Sequence, residues 1–255
     1  MALKMIRRHS PKSIFLHWFN AACWFFLLFT GVGLLDNKDL QPFGMWWVHL
    51  MQGVFGSAAN LLLAHEACGL LWASVMFLYA LVFIFSETVP FLKEIFSFSI
   101  RDDVVWLIRK MTLMTAGTAV LRKMGQEPDL PDQGFYNVGQ KMFAIPAVLG
   151  GAVIACTGLV MTFSTFLADP EPVQWAILIH YIGVCLVFAG LLVHIFMASI
   201  ASGEQPAFRS MFTGFVPEDF AEHHNPLWYR SIKGNVIYAS ETAGEAAEEA
   251  TGGKH

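Results

Sequence analysis

The sequence predicts an all-α integral membrane protein, a four-helix bundle with both termini in the cytoplasm and additional short interfacial helices. Three observations lead to this fold class. Hydrophobic residues make up 55% of the 255 residues and charged residues only 14%, whereas soluble domains are about a quarter charged. Four apolar stretches are long enough to cross a hydrocarbon core, which needs about 20 helical residues. Finally, the basic residues are concentrated in alternate connections between those stretches.

The four predicted membrane spans lie at about residues 14–35, 60–86, 142–168 and 173–200. Glu66 is the only charged residue within them, and none shows the alternation of a β-strand. Because backbone polar groups in lipid must be satisfied within the segment, these stretches are predicted to be helices. The first stretch follows basic residues, as in a signal peptide, but it is about 22 residues long and no small-residue cleavage site follows it. We therefore predict that it is a retained span.

The distribution of Lys and Arg predicts the orientation of these spans. Fifteen of the 16 basic residues lie before the first span, between the second and third, or after the fourth, and the opposite connections contain only Lys38. By the positive-inside rule, both termini are cytoplasmic. We expect a single transmembrane domain over residues 1–240. The segment 241–255 is rich in Ala, Glu and Gly, and we expect it to be a disordered cytoplasmic tail.

Two connections carry helix signals of their own. The outer connection, 36–59, contains Met45, Trp46 and Trp47, which predict an interfacial helix at the outer surface. The inner connection, 87–138, contains Ser99 and Asp102 at the spacing of a capping box. An apolar helical face follows this cap, so we expect an amphipathic helix that lies on the inner membrane surface or against a partner. That face consists of Val104, Leu107, Ile108 and Met111.

Composition also excludes several classes of protein. The net charge is −4 and no basic face is present, so we expect no nucleic-acid partner. The four cysteines lie in apolar runs without the spacing of a metal site, and we predict that they are free thiols. The sequence contains no attachment motif for c-type haem. The cysteines are Cys23, Cys68, Cys156 and Cys185.

Four of the nine histidines lie inside predicted spans, at two depths. His17 and His194 are near the cytoplasmic ends, and His65 and His180 are near the outer ends. The 14 residues between His180 and His194 make close to four helical turns, so both side chains project from nearly the same face, ~21 Å apart along the axis. A lone intramembrane histidine is more often a polar side chain bonded across a packing interface. Two pairs at two depths instead indicate two b haems, whose iron takes neutral imidazole on both axial positions.

Small residues lie one helical turn from each of these histidines. A flat macrocycle against a helix requires such residues, although small residues are also common wherever membrane helices pack closely. His49, in the outer connection, is an alternative ligand to His65 if the second span is placed differently. The small residues are Ala21, Gly69, Gly183 and Gly190.

Four strings extend this pattern over nearly the whole chain. They are the LHW that contains His17, FYNVGQKM at 135–142, ILIHYIGVCLVFAGLLVHIFMA at 177–198 and MFTGFVPEDFAEHHNPLWYR at 211–230. On the basis of these four strings, the chain resembles the gamma subunits of membrane-bound formate dehydrogenases. These are di-haem cytochromes b, more distantly related to the cytochrome b subunits of thiosulfate reductases and nickel–iron hydrogenases.

The resemblance implies the haem ligands. His17 and His194 would bind the iron of an inner haem b, and His65 and His180 that of an outer haem b. This is the pairing that the depths of the histidines also favour. The family usually has a proline directly after the ligand of the second span, where this chain has Glu66.

The resemblance also implies a menaquinone site beside the inner haem, at Asn137, Gly139 and Gln140. A quinone carbonyl needs hydrogen-bond donors, which an amide side chain and an exposed glycine N–H supply, and glycine allows the ring to approach closely. From the residues alone, however, this string is more typical of a turn at the start of a helix with a capping asparagine.

The function implied by the resemblance is electron transfer across a bacterial inner membrane. Electrons would come from formate, oxidised at a periplasmic catalytic subunit that contains molybdenum or tungsten with a pterin, through an iron–sulfur subunit. They would cross the two haems to menaquinone at the cytoplasmic side. The chain has neither a cluster-binding cysteine set nor a pterin site, so it would not act on formate by itself. The complex would be a heterotrimer that associates further into trimers.

Two alternatives remain open at this point. The same di-haem electron carrier could serve a hydrogenase or a thiosulfate-type reductase. The chain could instead be a haem-free membrane anchor that tethers a peripheral complex. A transporter is disfavoured because the four spans lack inverted repeats and broken helices.

Overall fold

A computed structural model describes residues 4–167, 169–201 and 203–238. The predicted disordered tail at 241–255 lies outside these residues. The chain forms two compact units. The first consists of the described residues within Met1–Ile14, Val89–Ile145 and Leu191–His255, and the second of those within Phe15–Thr88 and Pro146–Gly190.

Helices dominate both units, as the all-α class predicts. Among the described residues, α1, α3, α7 and α8 are long and apolar enough to cross a membrane, which confirms the four predicted spans. The helices are α1 (Pro11–Leu34), α2 (Met45–Phe55), α3 (Ala58–Val82), α4 (Val89–Ile95), α5 (Ile100–Thr115), α6 (Gly117–Lys123), α7 (Val138–Thr162), α8 (Glu171–Ile195), α9 (Gln205–Thr213), α10 (Glu218–His224) and α11 (Pro226–Ile232).

Capping side chains place the starts of two spans earlier than the apolar pattern predicts. α7 begins at Val138 rather than near 142, because the side-chain oxygen of Asn137 accepts a hydrogen bond from the Gln140 N–H at 2.9 Å. α8 begins at Glu171 rather than 173, and the Glu171 N–H donates to the Asp169 side chain at 2.9 Å. Both caps satisfy N–H groups that have no partner within the helix.

A π-helical turn follows each of two spans. Ile84–Thr88 follows α3 and Phe196–Ile200 follows α8. In the first turn, the Phe83 carbonyl accepts hydrogen bonds from the N–H groups of both Glu87, at 2.9 Å, and Thr88, at 3.1 Å. The regular helix therefore ends at Val82, before the predicted residue 86, because apolar composition does not distinguish an α-helical turn from a π-helical one.

The predicted helix of the outer connection is present as α2. It lies close to α1: a Cβ atom added to Gly33 would be 2.6 Å from the Cβ of Met51. The indole N–H of Trp47 donates to the Phe29 carbonyl of α1 at 3.1 Å. Glycine at position 33 is therefore required for this approach, since any larger side chain would displace α2.

The predicted amphipathic helix is present as α5, with a cap that differs from the predicted one. The Ser99 hydroxyl accepts from the Asp102 N–H at 3.4 Å, but the Ser99 N–H donates at 2.9 Å to Asp103 rather than to Asp102. The Asp102 carboxylate instead accepts from the Ser99 hydroxyl. Trp106 is buried, whereas Val104, Ile108 and Met111 are exposed, so the apolar face points away from the described chain.

The first unit has a small core built on two strands that the sequence pattern does not predict. β1 (Met5–Arg7) pairs antiparallel with β2 (Phe215–Pro217), with Ile6 opposite Val216. Ile6 and Val216 are both fully buried, and Phe220, Ala221 and Tyr229 complete the core. Three-residue strands are too short to show a period of two, and their partners lie far apart in the sequence.

Arg8 follows β1 and connects this core to the segment before α7. Its guanidinium donates to the Asn225 side chain at 2.8 Å and to the Phe135 carbonyl at 2.6 Å. It also lies over the rings of Phe135 and Trp228. Burial lowers the pKa of Arg8 to about 10, although Tyr136 and Glu204 partly offset this effect. Arg8 remains charged at neutral pH, and every contact here uses its planar group.

Candidate haem and quinone sites

The second unit brings together His65 and His180, which the sequence predicts as one ligand pair. His65 lies in the first half of α3 and His180 in the first half of α8. Both side chains are half-buried. Two imidazoles from helices distant in sequence therefore belong to the same compact unit.

The Nδ1 atom of His65 lies 2.9 Å from the hydroxyl of Thr30 on α1. Thr30 is buried, and its hydroxyl donates its proton to the Phe26 carbonyl at 2.7 Å. Because a hydroxyl has only one proton, Thr30 accepts a hydrogen bond from the His65 ring rather than donating one. The hydrogen-bond network thus assigns the proton to Nδ1 and leaves the lone pair of Nε2 available for a metal.

His180 has the same surroundings on the other pair of helices. Its Nδ1 atom lies 3.0 Å from the hydroxyl of Thr157 on α7, which donates to the Val153 carbonyl at 2.8 Å. The Ile154 carbonyl is a second acceptor, 3.1 Å from the same Nδ1. Here too the proton is assigned to Nδ1 and the Nε2 lone pair is available. Both imidazoles therefore have the tautomer that an axial haem ligand requires.

Glycines follow both threonines and lie against the histidine rings. A Cβ atom added to Gly31 would lie 3.1 Å from Cε1 of His65, and one added to Gly158 would lie 3.6 Å from Cε1 of His180. Sequence reasoning missed these glycines and both threonines. The signal that could have identified them is a Thr-Gly string at the same end of two spans.

Two of the small residues singled out in the sequence have different surroundings. A Cβ atom added to Gly183 would lie 3.1 Å from the Ile154 side chain on α7, so this glycine allows α7 and α8 to pack closely. A Cβ atom added to Gly69 would lie 3.8 Å from Leu27, which is an ordinary contact. Gly183 is therefore explained by close packing between helices, which the sequence left open as the alternative to a haem contact.

The other predicted ligands, His17 and His194, belong to different units. His17 lies on α1 in the second unit, where its ring packs edge-on against Trp18 at a centroid distance of 5.2 Å. His194 lies near the end of α8 in the first unit, where its ring stacks on Phe143 of α7 at 4.4 Å and 12°. His49, the alternative to His65, is exposed on α2.

Asn137 and Gln140 form a reciprocal capping box at the start of α7. The Asn137 side-chain oxygen accepts from the Gln140 N–H at 2.9 Å, and the Gln140 side-chain oxygen accepts from the Asn137 N–H at 3.0 Å. The capping role that the residues alone favoured is thus confirmed. Because both oxygens are engaged, the side-chain NH2 groups are available as donors within the described residues.

A third donor lies between these two amides. In the first turn of α7, the N–H of Val138 donates to the Gln133 side chain and that of Lys141 to the Asn137 carbonyl. Gly139 is exposed, and its N–H has no acceptor among the described residues. Phe143, which sequence reasoning missed, follows one turn later and contacts His194. Three hydrogen-bond donors therefore lie in or next to the first turn of α7, and Phe143, one turn later, contacts a predicted haem ligand on α8.

Comparison with known proteins identifies the family of the chain. The family described as prokaryotic cytochrome b561 matches residues 8–214. The chain is 28% identical over 230 residues to the formate dehydrogenase cytochrome b556 subunit of Haemophilus influenzae, covering 89% of this chain and 83% of that protein. It is 24% identical over 234 residues to the nitrate-inducible formate dehydrogenase cytochrome b556(Fdn) subunit of Escherichia coli strain K12, covering 90% and 93%.

A second Escherichia coli protein, the formate dehydrogenase cytochrome b556(fdo) subunit, is 24% identical over 232 residues with the same coverage. These relatives confirm the resemblance to formate dehydrogenase cytochrome b subunits. The matched region, residues 8–214, covers most of the chain, and the positions of the four predicted haem ligands lie within it. With its four apolar spans, the chain is an integral membrane protein that belongs to the prokaryotic cytochrome b561 family.

Proposed function

We propose that this chain is the di-haem cytochrome b subunit of a membrane-bound formate dehydrogenase, which transfers electrons from a periplasmic iron–sulfur subunit to menaquinone at the cytoplasmic side. The observation that carries the proposal is the His65–His180 pair. These imidazoles come from different helices, and a threonine hydroxyl engages the Nδ1 of each. The names of the curated relatives support formate as the electron source.

The surroundings of His65 and His180 fit one b haem, and we propose a second at His17 and His194. A haem b with two imidazole ligands supplies one-electron transfer and has no open position for a substrate. His65 and His180 would hold the outer haem, and His17 and His194 the inner one. At His65 and His180 the fit is chemical, because the acceptor at each Nδ1 favours the tautomer that holds its proton there and leaves the Nε2 lone pair for iron. Membrane-embedded charge would be costly, and neutral ligands avoid that cost.

The start of α7 fits a menaquinone headgroup. The side-chain NH2 groups of Asn137 and Gln140 and the N–H of Gly139 would donate hydrogen bonds to a quinone carbonyl. Gly139 would let the ring approach the backbone, since no Cβ covers its N–H. The stack of Phe143 on His194 links this site to a ligand of the inner haem. Protons for the reduced quinone would come from the cytoplasm.

The proposed assembly is a heterotrimer in the bacterial inner membrane, which associates further into trimers. Its other members would be the iron–sulfur subunit and a catalytic subunit with a molybdenum or tungsten pterin. Residues 1–240 would act as one electron-transfer domain embedded in lipid. The distribution of basic residues supports cytoplasmic N- and C-termini, since 15 of 16 lie on one side of the four spans.

The test is to follow the haem α-band of the purified complex. Formate should reduce it, and a menaquinone analogue should then reoxidise it. His65→Ala should stop formate from reducing the remaining haem, although dithionite still reduces it. His194→Ala should leave reduction by formate intact and slow reoxidation by quinone. His49→Ala is the matched control, because His49 is exposed on α2, and it should behave as the wild type.

The alternative functions predict different results in the same experiment. A complex that is reduced by hydrogen but not by formate would serve a hydrogenase. Outward flow, from reduced quinone to thiosulfate, would indicate the reductase alternative. A purified protein without any α-band of haem b would be a haem-free anchor, and the proposal would be wrong.

A further inference from the structure

We infer that two Thr-Gly pairs, Thr30-Gly31 and Thr157-Gly158, are positioning elements for the axial histidines of the outer haem. Each threonine fixes the tautomer and orientation of one imidazole. Gly31 in addition leaves room for the His65 ring, and Gly158 lies in ordinary contact with the His180 ring. The inference rests on the proposed function, because it assigns these residues a role toward a bound haem.

The same geometry occurs twice, on separate helix pairs. In each case, the threonine hydroxyl donates to the carbonyl four residues earlier in its own helix, at 2.7 Å for Thr30 and 2.8 Å for Thr157. In each case the oxygen then accepts from Nδ1 of a histidine on another helix, at 2.9 and 3.0 Å. Within the four predicted spans, Thr-Gly occurs only at these two places. Both contact a predicted ligand.

A threonine hydroxyl suits this position chemically. An acceptor at Nδ1 increases the electron density at Nε2, which stabilises the ferric state of a ligated haem and lowers its midpoint potential. A carboxylate would do so more strongly but would place a charge inside the membrane, which is costly. The hydroxyl is neutral, and because its own proton is held by the helix backbone, it can only accept from the ring.

The two pairs differ in a way that makes the inference testable. Within the described residues, Thr30 is the hydrogen-bond acceptor for His65, and Gly31 is in tight contact with that ring at 3.1 Å. His180 has a second acceptor, the Ile154 carbonyl at 3.1 Å. Loss of the Thr30 hydroxyl would therefore leave the N–H of the half-buried His65 ring without an acceptor among the described residues. Loss of the Thr157 hydroxyl would leave the carbonyl in place.

The experiment is a spectroelectrochemical redox titration of the haems in the purified complex, together with electron paramagnetic resonance of the ferric state. The variants are Thr30→Val and Thr157→Val, which keep the side-chain shape without the acceptor, and Thr30→Ser, which restores it. Thr30→Val should shift one midpoint potential to a more positive value. The ferric–ferrous equilibrium constant should change by at most about tenfold, which corresponds to a shift of about 59 mV in the midpoint potential for one electron.

Thr157→Val should give a smaller shift in the same haem, and Thr30→Ser should retain the wild-type potential. The g-values of that haem should move with its potential, while the other haem stays unchanged in every variant. Loss of one haem in Thr30→Val with retention in Thr30→Ser would also support the inference, since only the hydroxyl distinguishes these results.

Two results would overturn it. Thr30→Val could retain both haems with wild-type potentials and g-values, or Thr30→Ser could change the haem as much as Thr30→Val does. In either case the proposed function would stand, because the haems would still be present. A wild-type complex without b haems would instead refute the proposed function itself.

Discussion

Replacing Asn137 with aspartate would separate its two roles at the start of α7. Aspartate keeps an oxygen for the hydrogen bond from the Gln140 N–H, 2.9 Å in the wild type, but it has no NH2 group to donate to a quinone. Aspartate and asparagine are about equally good N-caps, and a negative charge near a helix N-terminus adds about 0.3–1 kcal/mol. We therefore expect the thermal stability of Asn137→Asp to equal or slightly exceed that of the wild type.

The quinone reaction should respond differently. Loss of a neutral hydrogen bond costs about 1 kcal/mol, which is about fivefold in affinity, and the carboxylate would also repel the quinone carbonyl. We expect the KM for a menaquinone analogue to rise at least about fivefold in Asn137→Asp. Asn137→Ala should show the same rise and should also lose about 1 kcal/mol of stability, because it removes the cap.

The assay is the quinone-dependent reoxidation of reduced haem, combined with thermal unfolding in detergent. Ser57→Ala is the control, because Ser57 caps α3 by accepting from the Asn60 N–H at 3.1 Å and is not part of the proposed quinone site. It should lower stability without changing KM. A wild-type KM in Asn137→Asp would refute the donor role, and wild-type stability in Asn137→Ala would refute the capping role.

Three further predictions concern other positions. Gly31→Ala should weaken haem retention, measured as haem content after gel filtration, because the added Cβ would lie 3.1 Å from the His65 ring. Gly158→Ala should retain haem, because its added Cβ would lie 3.6 Å from the His180 ring. Equal haem retention in the two variants would contradict this prediction. Arg8→Lys should lower the free energy of unfolding by about 2 kcal/mol, because lysine cannot reproduce the planar hydrogen bonds of the guanidinium, and an unchanged melting temperature would count against that role. Partial desolvation lowers the pKa of His224, whose ring stacks on Phe220, below its ordinary 6.5. Its contribution to stability is therefore complete above pH 6.5 and is lost as the pH falls through the lowered value. Thermal unfolding at several pH values should show this loss in the wild type and not in His224→Gln.

The spans could be predicted because a run of about 20 apolar residues is a strong signal. Their ends could not, because local side chains decide them: Asn137 starts α7 and Asp169 starts α8 ahead of the apolar runs. The strand Met5–Arg7 could not be predicted either, since it forms only by pairing with a strand more than 200 residues away in the sequence.

The histidines of the candidate site could be identified from their depth and spacing. Thr30, Thr157 and Phe143 could not, because a contact between helices depends on how each helix is rotated about its axis. Residues advance by about 100° around a helix, and a single sequence does not state which face of one helix meets which neighbour. The repeated Thr-Gly string becomes meaningful only when its contacts with His65 and His180 are known.

The haem content of the purified complex tests the central claim most directly. A pyridine haemochrome assay of the wild type should give two b haems per chain, and each single substitution of His17, His65, His180 or His194 by alanine should remove one. Redox titration should show that the His65 and His180 variants lose the same haem and that the His17 and His194 variants lose the other. One haem per chain, or a haem content unaffected by His65→Ala and His180→Ala, would contradict the account.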